Sequence, residues 1–391
     1  MLERCVCLYL KLDNHLVPSN WFFSPTPPPL AAFPFPKMSQ STFRVLFAAI
    51  LASGAFATPL NPNATRTGDA KAAAPVSTPA YPAPWDPKII EGLATIADPP
   101  TYSKAKSGAK VSSRAVLPTS TIDAATIQSY LPYTHLAASS YCASSIIQNW
   151  SCGQHCTALP GMQIVATGGN NEDVPDWYVG YLPSLASAVV VHQGTTPSAI
   201  ESDLVDADFF FTTLNPTYFP GIPSTVEIHS GFVDAHDSAA PAILAAVKKI
   251  ISTNGVKKIT CIGHSLGGAI AILDVLSLQA TLGNSCTYKV VTFGQPRVGN
   301  QAFADYVDAH LSDNSRITHN EDIVPIVPGR FLGFVHSSGE KHIDPSAVWW
   351  ACSGQDNEAD PECSTGEVSN ILDGNTSDHT GPYVNGIVMG C

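Results

Sequence analysis

Hydrophobic positions along the chain form short apolar runs that alternate with longer helical patterns. Strands are predicted at MQIVA (162–166), WYVGYL (177–182), SAVVVHQG (187–194), 257–262, YKVVTFG (288–294) and RITH (316–319), and a final hairpin is predicted at 331–343. Helical spacing predicts helices over 127–142, interrupted by Pro132, over 238–253, ending at Asn254-Gly255, and over 269–282. This alternation predicts an α/β fold with a predominantly parallel central sheet, in one domain over residues 116–391.

The residues before this domain differ in composition. Residues 58–115 are rich in Ala, Pro, Thr and Ser and predict a linker or pro-segment. Met38 begins a segment with a weakly basic start, an apolar run over 45–52 and a small-x-small site at Ala55-Phe56-Ala57. Residues 38–57 are therefore predicted to be a signal peptide, whose apolar run is too short to span a bilayer. Residues 1–37 are then predicted to be a non-native or disordered extension, with Met38 as the true translation start. The alternative is an internal apolar segment in a disordered tail.

Charge and composition narrow the class of partner. The chain has 391 residues, 45% of them hydrophobic and only 13% charged, and its formal net charge is −12. This acidic balance argues against nucleic acid or an anionic membrane surface as a partner. It places no restriction on a neutral lipid or ester substrate.

Cysteine usage favours an oxidising compartment. Eight of the ten cysteines follow residue 57, and in a secreted chain disulfides are expected. Bridges are predicted for Cys152–Cys156 and Cys352–Cys363, which would close short loops, and for Cys142–Cys391, which would join the two ends of the domain. Cys261 is predicted to be a buried free thiol, and Cys286 has no predicted partner. The C-x3-C pair with one histidine lacks the second ligand pair that a metal site needs. Asn63, Asn149 and Asn375 are glycosylation acceptors that also suit a secreted protein.

The segment Gly263-His264-Ser265-Leu266-Gly267 matches G-x-S-x-G between a predicted strand and a predicted helix. In that context the spacing forces the serine into a strained turn with its hydroxyl presented outward. The amide of Leu266 would lie at a helix N-terminus, where unpaired N–H groups favour an anion. Ser265 is therefore predicted to be a nucleophile, and Leu266 an oxyanion donor. The alternative is a plain glycine-rich turn.

A serine nucleophile needs a base and an orienting acid, which follow it along this type of fold. Asp322 follows a strand and precedes Ile323-Val324-Pro325, so it is the predicted acid. Of the later histidines, His336 and His342 lie in the predicted hairpin, whereas His379 lies in a loop near the C-terminus that is rich in Gly and Asn. His379 is the predicted base, against the alternative of an exposed histidine without a role.

Two further residues are placed around this turn. His264 is predicted to point away from the serine hydroxyl and to support the turn by packing and hydrogen bonding. The second oxyanion donor should come from the loop after an earlier central strand. There Gly194 allows close approach of the backbone, and Thr195 offers its amide and hydroxyl.

The blocks GHSLGG, TFGQPRVGN, THNEDIVPIVP, FLGFVHSSGE and DHTGPY…MGC together resemble the class 3 lipases of filamentous fungi and their basidiomycete relatives, a family related to feruloyl esterases. The resemblance spans about residues 122–391. It implies an α/β-hydrolase fold, a Ser265–Asp322–His379 triad, Thr195 and Leu266 as the oxyanion hole, and a Cys142–Cys391 bridge. The chain departs from the better-known members in having no tryptophan in residues 196–214, the position of the lid.

The lid prediction rests on the spacing of apolar residues. Ile200, Leu204 and Phe211 recur with Ala207 at helical intervals, and acidic residues lie between them. Such a helix can cover an apolar cleft in water and move aside at a lipid surface. The alternative is a fixed amphipathic helix. Acidic residues on the lid disfavour anionic phospholipid surfaces and favour neutral acylglycerols.

The sequence thus predicts a secreted, extracellular serine ester hydrolase that cleaves acylglycerols at a lipid–water interface. No metal, no cofactor, no nucleic acid and no transmembrane segment are predicted, and the oligomeric state is not specified. A feruloyl or other carbohydrate-linked ester hydrolase is the alternative within the same fold. A catalytically inactive binding protein with the same fold is the alternative of another class. The intact Ser265, Asp322 and His379 argue against the inactive protein.

Overall fold

Strands and helices alternate along the folded part of the chain, as the apolar pattern predicts. The computed structural model describes residues 97–98, 119–170, 174–196, 199–200, 210–356 and 360–391. The strands are β1 (Ser120–Thr121), β2 (Gln163–Gly168), β3 (Trp177–Leu182), β4 (Ser187–His192), β5 (Phe211–Thr213), β6 (Glu227–His229), β7 (Lys258–His264), β8 (Thr287–Phe293), β9 (Gly299–Asn300), β10 (Asn314–His319), β11 (Phe334–Val335), β12 (Glu340–Ile343) and β13 (Trp349–Ala351). The helices are α1 (Ala124–Ser129), α2 (Leu131–Ser139), α3 (Ser144–Gln148), α4 (Gly153–Ala158), α5 (Ser230–Asn254), α6 (Leu266–Leu282), α7 (Gln301–His310) and α8 (Ser364–Glu367).

The main sheet has the strand order β1-β13-β12-β10-β8-β7-β4-β3-β2 among the described residues. Its five central strands, β4, β7, β8, β10 and β12, are mutually parallel, and the strands at both edges run antiparallel. A smaller antiparallel sheet has the order β11-β9-β6-β5. Because the central strands are parallel, their carboxyl ends lie along one edge of the sheet, where ligands bind in open α/β folds.

Side chains of the central strands alternate between two apolar layers. On β4, Ala188 and Val190 pack in the layer that contains α5, α6 and α7, whereas Val189 and Val191 pack in the layer that contains α2. This double coverage explains the nearly continuous apolar sequence of β4 and of β7. The predicted parallel α/β sheet is confirmed.

Helix α6 is the core helix of this sandwich. Residues 266–285 are long and apolar enough to cross a membrane by length and composition alone, and this is the only such segment found in the described part of the chain. About two-thirds of the segment is buried inside the domain, as for the core helix of a soluble protein. The segment therefore gives only weak evidence for a membrane span.

Several predicted elements differ from the structure. The predicted helix over 127–142 is two helices, α1 and α2, which meet at Tyr130. Helix α5 begins at Ser230, two turns before the predicted start at 238, because Phe232, Val233 and Ala235 face the core and the side chain of His229 accepts a hydrogen bond from the Gly231 amide (3.1 Å). Its predicted end at Gly255 is confirmed by a left-handed C-cap with φ of 68°.

The predicted hairpin over 331–343 is wrong. Strand β11 pairs with β9 in the small sheet, whereas β12 pairs in parallel with β10 in the main sheet. Strands β1, β5, β6, β9 and β13 were not predicted; each has only two or three residues, too few to show a period.

Three disulfides join the pairs that the sequence predicts: Cys142–Cys391, Cys152–Cys156 and Cys352–Cys363. Cys261 and Cys286 are buried free thiols. Burial raises the pKa of the Cys261 thiol well above its usual value, and the carboxylate of Asp274 adds to this effect. Cys261 is therefore held as an unreactive thiol in the core.

The predicted segments 1–37 and 38–57 lie outside the described residues, and so does most of segment 58–115. Ala97 and Asp98 are the exceptions, and both are buried. Asp98 forms an ion pair with Arg330 (2.6 Å) and accepts a hydrogen bond from the Phe331 amide (3.0 Å). At this point the predicted linker or pro-segment packs against the large domain.

Candidate active site

Ser265 occupies a strained turn between β7 and α6. Its backbone angles are φ 56° and ψ −130°, which non-glycine residues rarely adopt and which occur mainly at functional sites. A Cβ atom at Gly263 would collide with the carbonyl of Gly267, and one at Gly267 would lie 2.5 Å from the carbonyl oxygen of Gln193. Only glycine therefore allows the strand, the turn and the helix to approach this closely. This is the geometry of a nucleophile elbow.

His379 lies on a short 3₁₀ helix, Thr376–Thr380, near the C-terminus. Its Nδ1 lies 2.8 Å from Oδ2 of Asp322, and both side chains are buried. The Asp322 carboxylate can only accept, so Nδ1 carries the proton and Nε2 is left as the basic nitrogen. The other carboxylate oxygen of Asp322 accepts a hydrogen bond from the Val324 amide (2.9 Å), which fixes the acid in its loop.

Nε2 of His379 is buried and has no hydrogen-bond partner among the described residues. The ring lies against that of His264, which precedes Ser265, with 4.4 Å between the ring centroids. Buried polar atoms are normally paired, and those left unpaired often have a catalytic role. The structure thus brings the predicted acid and base together beside the predicted nucleophile.

A hydrogen-bonded chain supports this arrangement from behind. Nε2 of His264 donates to the backbone carbonyl of His379 (2.8 Å), so its Nδ1 accepts from the hydroxyl of Tyr141 (2.5 Å). The Tyr383 hydroxyl donates to the same His379 carbonyl (3.0 Å). Burial lowers the pKa of His264 well below its usual value, and the nearby His379 adds to this effect. His264 therefore remains neutral and supports the turn, as predicted, whereas Tyr141 and Tyr383 were not predicted.

The two predicted oxyanion donors lie on neighbouring elements. Leu266 is the first residue of α6, so its amide has no acceptor within the helix. Thr195 follows Gly194 in the loop after β4 and is partly exposed. A Cβ at Gly194 would lie 2.5 Å from the His264 carbonyl oxygen and 2.7 Å from Cβ of Ser265, so this loop passes directly against the nucleophile.

A buried charged cluster holds the loop that carries the acid. Nε of Arg297 donates to Asp356 (2.9 Å), and Nη1 of Arg297 donates to the carbonyl of Pro328 (3.0 Å). The amide of His336 donates to Asp356 (2.7 Å), and its Nε2 donates to the carbonyl of Pro325 (2.8 Å). Burial opposes ionisation of Asp356, but the guanidinium of Arg297 lowers its pKa below the usual range. Burial also lowers the pKa of His336 to about 3, so this ring is neutral. The cluster fixes residues 325–328 just after Asp322.

The three residues of the predicted lid have different positions. Ile200 is buried in an apolar cluster with Ala97 and the residues that follow the acid, Ile323, Val324, Ile326 and Val327. Leu204 lies outside the described residues. Phe211 belongs to strand β5 and stacks on Phe334 with 4.3 Å between ring centroids, so the predicted helix does not extend to it. Pairing with β6 in the small sheet overrides the helical spacing.

The predicted nucleophile and base are both buried. Ser265 is 4% exposed and His379 is fully buried. Within the described part of the chain, no cluster of His, Cys, Asp and Glu has the arrangement of a metal site.

Similarity to known proteins identifies the family. The profile described as Lipase (class 3) matches residues 189–332, which include Ser265 and Asp322. A secreted mono- and diacylglycerol lipase of Malassezia globosa is 34% identical over 216 residues, which cover 53% of this chain and 68% of that protein. The chain belongs to the class 3 lipase family. The relatives it matches are named lipases, which are carboxylic ester hydrolases. The predicted resemblance to this family is confirmed.

Solved structures confirm the α/β-hydrolase fold. Lipase II from Rhizopus niveus superposes with a TM-score of 0.61 at 26% identity, over 70% of this class 3 lipase and 99% of that chain. A Rhizomucor miehei lipase propeptide complex superposes with a TM-score of 0.61 at 26% identity, over 80% of this chain and 95% of that one. The matched segments span 59% to 68% of the length of the Malassezia relatives. No relationship to feruloyl esterases was found among these relatives.

Proposed function

We propose that this class 3 lipase is a secreted serine hydrolase of acylglycerol esters. The observation that carries the proposal is the buried, unpaired Nε2 of His379 beside the strained Ser265, with Nδ1 hydrogen-bonded to Asp322. A serine hydroxyl is a weak nucleophile at neutral pH and becomes effective when an oriented imidazole takes its proton.

In the proposed reaction, Nε2 of His379 accepts the proton of the Ser265 hydroxyl as the oxygen attacks the ester carbonyl. Asp322 holds the ring in the required tautomer and stabilises the imidazolium that forms. The imidazolium then gives its proton to the leaving alcohol, which leaves an acyl-serine. Water attacks the acyl-serine by the same route, and the carboxylic acid and free serine are released.

The carbonyl oxygen becomes negatively charged in each tetrahedral intermediate. We assign its stabilisation to the amides of Leu266 and Thr195, which lie on the two elements that flank the nucleophile. The position of Leu266 at the start of α6 supports this assignment, because the first amides of a helix favour an anion. Removing one such donor typically costs about 10²- to 10³-fold in kcat.

The burial of Ser265 supports a lid. We propose that residues 196–210 cover the site in water and move aside at a lipid surface, which exposes Ser265. The segment starts next to Thr195, and Ile200 packs on the residues that follow Asp322, so movement of this segment would reach both sides of the site. Exposing apolar surface costs about 25 cal/mol per Å² in water and much less at an oil interface.

Replacement of the nucleophile tests this proposal. We expect Ser265→Ala to lower kcat on p-nitrophenyl butyrate by at least about 10⁴-fold without loss of folding. The matched control is Ser277→Ala, a buried serine on the helix that follows the nucleophile, which should keep kcat within about twofold. Unchanged turnover by Ser265→Ala would exclude the assigned mechanism. Absence of labelling of the unmodified protein by a fluorophosphonate would support the inactive binding protein instead.

The substrate class is tested separately. Emulsified di- and trioleoylglycerol are compared with methyl ferulate, and we expect hydrolysis of the glycerides to exceed that of the ferulate. The Malassezia relatives are named mono- and diacylglycerol lipases, which supports acylglycerols for this chain. Faster hydrolysis of methyl ferulate would favour the alternative. Activity that rises sharply above the solubility limit of the glyceride is the expected sign of the lid.

We also propose that residues 38–57 direct secretion and that residues 58–115 form a pro-segment. The names of the Malassezia relatives support secretion. The ion pair of Asp98 with Arg330 supports a pro-segment that packs on the catalytic domain. N-terminal sequencing of the protein secreted by a fungal host tests both. A mature chain that begins before residue 58 would contradict the signal peptide, and one that begins at residue 58 would contradict removal of a pro-segment.

A further inference from the structure

A buried carboxylate in the core helix has no part in the proposed reaction. Asp274 lies in the middle of α6, is 1% exposed, and is surrounded along the helix by buried Ala, Ile, Leu and Val residues. Burying an ionised carboxylate is costly unless it is paired. Oδ2 of Asp274 lies 2.5 Å from Nε2 of His192, and Oδ1 lies 3.6 Å from Nε2 of His236.

His192 places this pair next to the nucleophile. It is the last residue of β4, and the alternation along that strand turns its ring toward α6, on the same face as Ala188 and Val190. The chain continues directly into Gln193, Gly194 and Thr195. A Cβ at Gly267 would lie 2.6 Å from the carbonyl oxygen of His192, so the end of β4 already touches the first turn of α6.

The carboxylates around His192 and His236 determine which ring nitrogens carry protons. Since a carboxylate can only accept, Nε2 of His192 donates to Asp274. His236, on α5, faces a second carboxylate on its other side, because its Nδ1 lies 2.9 Å from Oδ1 of Asp237. Asp237 also accepts a hydrogen bond from the Asn215 side chain (2.8 Å). The hydrogen bond from His192 to Asp274 therefore links β4 to α6. Nε2 of His236, at 3.6 Å from Asp274, is too far for a hydrogen bond and has no hydrogen-bond partner among the described residues.

We propose that the hydrogen bond from His192 to Asp274 positions the oxyanion hole. This inference rests on the proposed function. One donor, Thr195, lies three residues after His192, and the other, Leu266, lies on the helix that carries Asp274. The hydrogen bond thus ties together the two elements whose relative placement sets the distance between the donors. Stabilisation of an oxyanion requires donors about 2.7–3.1 Å from the oxygen, so small shifts between these elements lower the rate.

Substitution of His192 tests whether the hydrogen bond matters. His192→Phe keeps a ring of similar size without a donor, and it leaves Asp274 with Nε2 of His236 at 3.6 Å. His192→Gln keeps an N–H donor at comparable reach. We expect His192→Phe to lower kcat by about 10- to 100-fold with KM within about twofold, and His192→Gln to stay within about threefold of the unmodified enzyme in kcat. Equal kcat values for the two variants would overturn the proposal.

An apolar pair separates positioning from stability. Replacing both members of a buried pair with apolar residues of similar size is often neutral for stability. We expect His192→Phe/Asp274→Leu to have a Tm near that of the unmodified enzyme but to keep the loss in kcat of His192→Phe. Recovery of kcat together with Tm would show a merely structural role and overturn the proposal. If the double variant does not fold, the comparison of His192→Phe with His192→Gln decides.

A boronic acid inhibitor forms a tetrahedral adduct with the serine that resembles the transition state. Its inhibition constant Ki therefore reports on the oxyanion hole itself. We expect its Ki to rise in His192→Phe by about the factor by which kcat/KM falls. An unchanged Ki would overturn the proposal. Failure of the proposed function is distinguishable, since it would appear as an inactive unmodified enzyme or an active Ser265→Ala variant.

Discussion

Gly294 makes room for the catalytic pair, and its replacement gives a sharp test of the site. It follows β8 with φ of 52°, in the left-handed region. An added Cβ would lie 2.8 Å from both Nδ1 and Cε1 of His379, and 3.1 Å from Oδ2 of Asp322. Gly294→Ala therefore places a methyl group directly against the hydrogen bond that joins acid and base.

The size of the effect follows from these distances. Carbon atoms make their best contacts at about 3.5–4.0 Å, so the ring must move by about 0.7–1.2 Å. A misplacement of about 1 Å costs about 10²-fold in rate. The left-handed backbone adds about 1–2 kcal/mol to the cost in stability for alanine. We expect kcat of Gly294→Ala to fall by about 10²-fold and its unfolding free energy to fall by at least about 1–2 kcal/mol.

Gly255→Ala is the matched control. Gly255 has φ of 68°, and a Cβ there would meet no atom within 4 Å, so it has the backbone cost without the collision. Steady-state hydrolysis of p-nitrophenyl butyrate and thermal unfolding are measured for both variants. Gly255→Ala should lose stability and keep its kcat. The reasoning is refuted if Gly294→Ala hydrolyses the ester at the same rate as Gly255→Ala.

Two further predictions concern stability. The Cys142–Cys391 bridge spans 249 residues, and its loss should lower the unfolding free energy measured by calorimetry by about 2–5 kcal/mol. The Cys152–Cys156 bridge spans four residues, and its loss should lower the unfolding free energy by less. Equal losses in the two variants would contradict this prediction. Burial alone would raise the pKa of Glu340, but the Arg316 guanidinium lowers it to about 2 from 4.5. The ionised carboxylate therefore contributes stability above about pH 4.5 that is lost as the pH falls toward 2. Glu340→Gln should flatten this acid limb in unfolding measured from pH 6 to 2, and an unchanged slope would contradict the role of Glu340.

Strands that are continuously apolar were predicted well from the sequence. Strands β3, β4 and β8 were found within about two residues because their burial on both faces leaves apolar runs. The segment 331–343 failed because its pattern also fits a hairpin. Its strands choose partners in different sheets, through contacts with β9 and β10 that local sequence does not encode.

The sequence named the residues that carry the proposed chemistry, but of the residues that position them it named His264 and not Tyr141 or Gly294. Ser265, Asp322 and His379 stand in short motifs whose order and spacing the mechanism requires. Tyr141 and Gly294 act through contacts with residues more than eighty positions away, Tyr141 with His264 and Gly294 with His379. Gly294 stands in the block TFGQPRVGN, which carried the family resemblance. Nothing in that block indicates that a side chain at this position would collide with His379.

The carboxyl ends of the parallel strands show how a rigid site is built from loops. Strands β4, β7 and β10 end in His192, His264 and His319, and all three histidines are buried. His192 donates to Asp274 on the helix that follows the nucleophile, His264 donates to the carbonyl of His379, and Nδ1 of His319 donates to the carbonyl of Asp378 (3.0 Å). Burial lowers the pKa of His264 and His319, so both rings are neutral at neutral pH and donate from a single nitrogen. A neutral donor at the end of a strand can hold a catalytic loop without adding positive charge that would compete with the imidazolium formed during the reaction.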